Sequence, residues 1–136
     1  MIHTFCLTTN HYHLLMETPY GYPQIMHHLN GAYATYFNVK RKRSGHLFQD
    51  RDKAILVEVD EYAKELSRYI HLNSVRAKLV DRPEQYRWSS YRFHIGMKKS
   101  PGWLFRDIIL GYLRKKDSDP QRRYRSFDEA VIGREY

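Results

Sequence analysis

Two histidines separated by one residue are the clearest chemical feature of this sequence. They are His11 and His13, in the segment NHYHLL at positions 10–15. Side chains alternate between the two faces along a strand, so both imidazoles are expected on the same face of a sheet. Paired imidazoles on one face suggest a metal site. Two histidines on a strand are as often surface residues or hydrogen-bonded core residues, so the pair alone is a weak signal.

A tyrosine and an asparagine one helical turn apart supply the other candidate groups. From Asp60 onward, apolar residues recur every three or four positions, which predicts a helix with Tyr69 and Asn73 on one stripe. An amide on such a stripe needs a hydrogen-bond partner, and a tyrosine there is more often a core residue than a nucleophile. If this helix packs across the sheet face that carries the histidines, Tyr69 comes near the metal and Asn73 supplies a third ligand.

The elements that must position these groups begin with a β-hairpin. Residues 2–8 and 11–18 are apolar-rich and separated only by Thr9-Asn10, which predicts two strands joined by a tight turn. Residues 54–59 form a third predicted strand, nearly continuously apolar and therefore covered on both faces. Besides the helix from Asp60, the pattern predicts helices at 24–38 and 103–116 and a charged, helical tail at 120–136.

The charge of the chain favours a polyanionic partner. Its 136 residues include 23 Lys and Arg against 15 Asp and Glu, a formal net charge of +8. Basic residues are interleaved with aromatic ones at 86–93 and 122–125, a composition suited to unpaired nucleic-acid bases. No apolar run of about eighteen residues is present, so a transmembrane helix and a membrane partner are not expected. The start lacks the pattern of a secretory signal, and the single cysteine, Cys6, excludes an internal disulfide.

Three segments resemble one family in the same order. They are residues 10–19 around the histidines, residues 45–58, and residues 67–77 around Tyr69. Together they are similar to the REP-associated tyrosine transposases, bacterial relatives of the small single-tyrosine HUH insertion-sequence transposases. The resemblance extends from about His3 to Tyr91, and three ordered motifs are much more specific than any one of them.

The resemblance implies a chemistry. It implies that His11 and His13 hold a divalent cation, Mg²⁺ or Mn²⁺, on the scissile phosphate of single-stranded or hairpin DNA from palindromic repeats, with Asn73 as the third ligand. Tyr69 matches the nucleophile, which would form a covalent 5′-phosphotyrosine and leave a 3′-hydroxyl. The location implied is the bacterial cytoplasm, at the nucleoid, and a homodimer is compatible with the wider group. The residues predicted to contact DNA are Lys40, Arg41, Lys42, Arg43, Gln49, Arg51 and Arg76.

The resemblance also implies a fold. The expected class is α+β, with a ferredoxin-like antiparallel sheet that carries helices on one face, as a catalytic domain at 1–100, followed by a helical, basic C-terminal extension at 101–136. Family members place a strand and a helix before the residues that match Met1. Their loss would expose unpaired strand edges, unless chains exchange strands or the remaining strands pair directly.

Four substitutions depart from the family pattern. Ser74 stands where a proline is usual, Asp52 where an aromatic residue is common, and Asp50 and Lys78 where glycines are common. None is a proposed ligand or the nucleophile. The two aspartates add negative charge in a region expected to face DNA, so they are predicted to weaken phosphate contacts.

Two alternatives stay open from the sequence. Imidazole suits Mn²⁺ or Zn²⁺ better than Mg²⁺, and Cys6 lies on the neighbouring strand, so a zinc site is conceivable. The chain could also be a degenerate nucleic-acid-binding module that keeps the basic and aromatic surface of a transposase without its catalysis. An unrelated metallohydrolase is disfavoured, because no general-base carboxylate stands at a recognisable spacing from the histidines.

Overall fold

The structure is a computed structural model, and it describes residues 1–17, 30, 40, 60–114 and 119–132. The chain divides into two compact units, one formed by residues 1–17 and 57–136 and the other by residues 18–56. All the elements given below belong to the first unit. The helix predicted at 24–38 and the strand predicted at 54–59 lie outside the described residues. The domain boundary predicted near residue 100 stays a prediction.

The first unit begins with the predicted β-hairpin. Strands β1 (Ile2–Leu7) and β2 (Tyr12–Met16) are antiparallel, and Cys6 lies opposite His13. The Thr8 amide donates to the His11 carbonyl at 2.8 Å and closes the connection. The hairpin is therefore confirmed, and its register decides which side chains leave the sheet together.

β1 is hydrogen bonded along its other edge as well, to residues from the second half of the chain. The Leu7 amide donates to the Trp88 carbonyl at 2.8 Å. At the other end of β1, the Phe105 amide donates to the Ile2 carbonyl at 2.8 Å. The second edge of β1 therefore has backbone partners at both of its ends among the described residues.

Helix α1 (Asp60–His71) packs across one face of the hairpin. Its amphipathic pattern is the cause: Ser67 and Ile70 are buried, whereas Tyr62 and Tyr69 are exposed. The helix predicted from Asp60 is thus confirmed. It does not run unbroken to Asn73, because the chain turns at Leu72 before the short helix α2 (Asn73–Arg76) begins.

α2 ends in a left-handed residue. Lys78 has φ of 58°, its amide donates to the Val75 carbonyl, and the Leu79 amide donates to the Ser74 carbonyl, each at 3.0 Å. This pair of bonds is the usual helix-ending motif that favours glycine at the left-handed position. Lys78 is also one of the positions at which the sequence departs from the family's glycine.

We expect Lys78→Gly to raise the free energy of unfolding by about 1 kcal/mol, because glycine has no Cβ to oppose positive φ. The matched control is Ala77→Gly, since Ala77 has φ of −77°, and this change should lower the free energy of unfolding by about 0.5 kcal/mol. Urea unfolding of the three proteins measures both effects. A stability loss in Lys78→Gly would contradict this reading of the turn.

The remainder of the unit is made of short helices. A 3-10 helix (Pro83–Gln85) is followed by α3 (Tyr91–His94) and α4 (Asp107–Gly111). The helix predicted at 103–116 is therefore wrong in extent. Leu104 and Phe105 pair with the start of β1 instead, so strand pairing overrides the helical periodicity of this segment.

The charged tail does contain the predicted helix, α5 (Pro120–Glu129). Its start carries two of the usual signals. The Asp119 side chain accepts a hydrogen bond from the Gln121 amide at 3.0 Å, and Pro120 occupies the first turn. α5 brings Tyr124 into the main core cluster, whose buried members are Tyr91, Ile109, Leu110, Leu113 and Tyr124.

A buried polar network ties α5 to the inner face of α1. The Tyr124 hydroxyl lies 2.6 Å from Ser67 Oγ and 2.6 Å from His71 Nδ1. The other imidazole nitrogen of His71 lies 2.6 Å from Ser90 Oγ. Buried polar groups that are satisfied in this way fix one packing arrangement, so the network sets how α1 lies in the unit.

Burial shifts the pKa values of three titratable groups in and beside this network. Burial, followed by the neighbouring His94, lowers the pKa of His71 well below its usual value. Burial lowers the pKa of His94 to about 4. Burial also raises the pKa of Asp128 well above its usual value, and neither of its carboxyl oxygens has a hydrogen-bond partner among the described residues. Burial therefore disfavours the charged forms of all three side chains.

The described elements define the fold class predicted from the sequence, which is α+β, with an antiparallel sheet and several helices. In the described ranges, no helix combines the length and the hydrophobicity needed to cross a membrane.

Candidate functional site

The two histidines lie side by side at the turn end of the hairpin. His11 directly precedes β2, and His13 is its second residue. Their ring centres are 5.1 Å apart, and the rings are nearly perpendicular. His11 is exposed, whereas His13 is partly buried. Both imidazoles are thus within reach of one ligand, as the two-residue spacing predicts.

Residues of the turn hold the His11 ring in one orientation. His11 Nδ1 lies 2.7 Å from Asn10 Oδ1 and 3.0 Å from Thr8 Oγ1. The Thr8 hydroxyl donates its own proton to the His11 carbonyl, so both neighbouring oxygens act as acceptors. The imidazole proton therefore lies on Nδ1, and Nε2 presents a lone pair.

Asn73 meets the lone pair of His11 from across the helix–sheet interface. Its Nδ2 lies 3.2 Å from His11 Nε2, although the two residues are 62 positions apart. The side chain is buried, and its Oδ1 accepts a hydrogen bond from Arg76 at 3.3 Å. The break at Leu72 places Asn73 at the first position of α2, next to the histidines.

Tyr69 lies on the exposed side of α1, beside the same pair. Its ring centre is 6.3 Å from that of His13, and the two rings are perpendicular. The side chain is 51% exposed, so a large substrate could reach its hydroxyl. The Arg76 guanidinium lies 3.6 Å from the centre of the tyrosine ring. The structure thus brings together all four residues that the sequence singled out.

The electrostatics keep His13 neutral. Burial is the largest cause, and the neighbouring His11 and Arg76 add to it, so the pKa of His13 lies below its usual value. A neutral imidazole is the form that binds a metal ion. His13 therefore has an available lone pair at neutral pH.

The donor set fits a divalent cation in kind. Two imidazoles and an amide oxygen suit Mn²⁺ and related borderline ions. Among the described residues, no group of three or more His, Cys, Asp and Glu side chains could hold a metal ion, so an amide would have to be the third protein ligand. Cys6 does not fill that place: it is fully buried, and burial raises the pKa of its thiol to about 11. The zinc alternative stays open.

The DNA-contact predictions fall largely outside the described residues, where Arg41, Lys42, Arg43, Gln49 and Arg51 all lie. Lys40 is described and exposed, and Arg76 lies in the candidate site itself.

Sequence reasoning missed two features of the site. One is the pair of hydrogen bonds that Thr8 and Asn10 form with the His11 ring. The closeness of these residues in the turn could have indicated them. The other is the inward position of Arg76. Its spacing of seven from Tyr69 and three from Asn73, close to whole helical turns, could have indicated that position.

Comparison with known families assigns the chain. The model of the family described as "Transposase IS200 like" matches residues 1–73, which is more than half of the 136 residues. The chain belongs to this transposase family, and a transposase-type function follows. The matched range includes His11, His13, Tyr69 and Asn73. No curated protein and no solved structure matches the chain.

Proposed function

We propose that the chain cleaves and rejoins single-stranded or hairpin DNA of palindromic repeats, through a covalent 5′-phosphotyrosine on Tyr69, as in REP-associated tyrosine transposases. The observation that supports this is the convergence of His11, His13, Tyr69 and Asn73 at one end of the hairpin. The net charge of +8 suits a DNA partner in the bacterial cytoplasm.

The exposed phenol of Tyr69 is the nucleophile in this proposal. Its oxygen attacks the phosphorus, the bond from phosphorus to the 3′ oxygen breaks, and that oxygen leaves as a 3′-hydroxyl after taking up a proton. A second 3′-hydroxyl can then attack the phosphotyrosine, which restores the phenol and joins two strands. No external energy source is needed, because each step exchanges one phosphoester bond for another.

His11, His13 and Asn73 are the residues that would hold the cation. A divalent ion, Mg²⁺ or Mn²⁺, would supply positive charge that favours the phenolate and offsets charge on the phosphorane-like transition state. Thr8 and Asn10 keep the His11 lone pair directed into the site. The perpendicular packing of Tyr69 against His13 keeps the phenol beside the same pair.

A hairpin oligonucleotide with randomised single-stranded flanks tests the proposal. With Mn²⁺, we expect a DNA that is labelled at its 3′ end to migrate with the protein on a denaturing gel. A 5′-labelled copy should be shortened and free, because the phosphotyrosine retains only the downstream fragment. Addition of EDTA should prevent both products.

DNA binding without an adduct in either Mg²⁺ or Mn²⁺ would overturn the catalytic proposal. That result would support the non-catalytic nucleic-acid-binding module. Localising the adduct by mass spectrometry on the peptide that contains Tyr69 would identify the nucleophile.

A further inference from the structure

Arg76 occupies the centre of the candidate site rather than extending from it. Its Nη2 donates to the Tyr69 carbonyl at 2.6 Å and to Asn73 Oδ1 at 3.3 Å. The guanidinium also lies 3.6 Å from the centre of the Tyr69 ring, within the range of a cation–π contact. The contacts to Tyr69 hold the guanidinium beside Asn73.

This contact determines which way the Asn73 amide faces. A guanidinium has only donors, so it requires the oxygen of Asn73 and not the nitrogen. On the opposite side, Nδ2 faces Nε2 of His11, which presents a lone pair because its other ring nitrogen carries the proton. Both neighbours require the same orientation of the amide. The reversed amide would place N–H groups against the N–H groups of Arg76.

The observed orientation is the opposite of what a cation ligand needs. To bind an ion beside His11 and His13, Asn73 must present its oxygen to them, which requires the amide to rotate and the bond to Arg76 to break. The positive charge of the guanidinium would also oppose a divalent ion held by Asn73. Arg76 therefore opposes the ligand role of Asn73 in the DNA-free chain.

We propose that Arg76 is a positioning residue that holds the Asn73 amide in a non-ligating orientation and so weakens divalent-cation binding in the absence of DNA. The inference rests on the proposed function for the ligand role of His11, His13 and Asn73. It adds a regulation of that site by one residue of α2.

A phosphodiester is the group that can break the hydrogen bond between Arg76 and Asn73. Its non-bridging oxygens form charge-assisted, bidentate bonds with a guanidinium, which are stronger than bonds to neutral oxygens such as the Tyr69 carbonyl and the Asn73 amide. A phosphate in the site draws Arg76 away and frees Asn73 to turn its oxygen to the ion. DNA and cation then strengthen each other's binding, since such coupling is reciprocal.

A Mn²⁺ titration of the DNA-free chain, with free ion followed by electron paramagnetic resonance, tests the proposal without any cleavage assay. We expect Arg76→Met to bind Mn²⁺ about fivefold more tightly than wild type, the change that one ordinary hydrogen bond is worth. The matched control is Arg87→Met, because the Arg87 guanidinium lies over the Trp88 ring and its loss removes the same charge. The proposal would be overturned if Mn²⁺ affinity rose equally in both variants. It would also be overturned if the Mn²⁺ affinity of Arg76→Met were unchanged or lower than that of wild type.

A double-mutant cycle with Asn73→Ala isolates the amide. In the wild-type background this change should alter Mn²⁺ affinity little, because the oxygen faces away from the histidines. In the Arg76→Met background it should remove the gain. Additive effects would overturn the proposal, and so would undetectable Mn²⁺ binding in every variant. Arg76→Gln, which can accept as well as donate, replaces Arg76→Met if thermal unfolding shows that the latter is misfolded. The DNA adduct assay reports separately on the proposed function.

Discussion

Tyr69→Phe is expected to lower formation of the covalent DNA adduct by roughly a thousandfold or more, because removal of a nucleophile eliminates the bond-forming atom. The change deletes one oxygen. It leaves the ring that packs against His13 and lies under the Arg76 guanidinium. Thermal unfolding should therefore remain close to that of wild type. The yield of 3′-labelled adduct on a denaturing gel measures the effect.

Tyr62 provides a matched control on the same helix. Its side chain is 48% exposed, against 51% for Tyr69, and it lies seven residues earlier, about two helical turns. Tyr62→Phe should retain full adduct formation. Equal loss in both variants would show that the assay reports a general effect on the helix, and persistence of the adduct in Tyr69→Phe would assign the nucleophile elsewhere.

Acidification from pH 6.5 to 4 is expected to remove about 3 kcal/mol of stability through His94 alone, given a pKa of about 4 in the folded chain and 6.5 in the unfolded one. The lowered pKa means that the folded state binds fewer protons. The contribution of this residue is therefore fully present above pH 6.5 and is lost as the pH falls through this window. His71, whose pKa is also lowered by burial, acts in the same direction.

Asp128 has the opposite effect on stability as the pH falls, so the test must separate the contribution of His94 from that of Asp128. Its raised pKa means that the folded state binds the proton more tightly than the unfolded state does, so acidification stabilises the folded state through this residue. The comparison is therefore between wild type and His94→Asn, whose amide can still donate to the Ser90 carbonyl as His94 Nδ1 does. Urea unfolding across the window should show a smaller decline in the variant. Parallel pH profiles would refute the assignment.

The local part of the site could be predicted from the sequence. The period of a strand places His11 beside His13, and the apolar period of the helix places Tyr69 on α1, which ends at His71 before Asn73. Both relations depend only on neighbouring residues. The composition of Thr9-Asn10 likewise located the hairpin turn.

The long-range part could not be predicted from patterns alone. The contact of Asn73 with His11 depends on which face of the sheet α1 covers and on the turn at Leu72, and neither follows from periodicity. The segment beginning at Trp103 shows the same limit. Its apolar residues have helical spacing, but the backbone at Ile2 is an open strand edge. The Phe105 amide donates to the Ile2 carbonyl there, whereas the amides at the start of a helix have no partner within the helix.

The two sides of α1 have different partners. Its exposed side carries Tyr69, within the range 1–73 that matches the family. Its buried side carries Ser67 and His71, which are held by the hydroxyl of Tyr124, fifty-one residues beyond that range. A graft of residues 1–73 onto another scaffold would thus transfer the four candidate side chains without the group that holds their helix. Exchange of this site between relatives has to move both sides together.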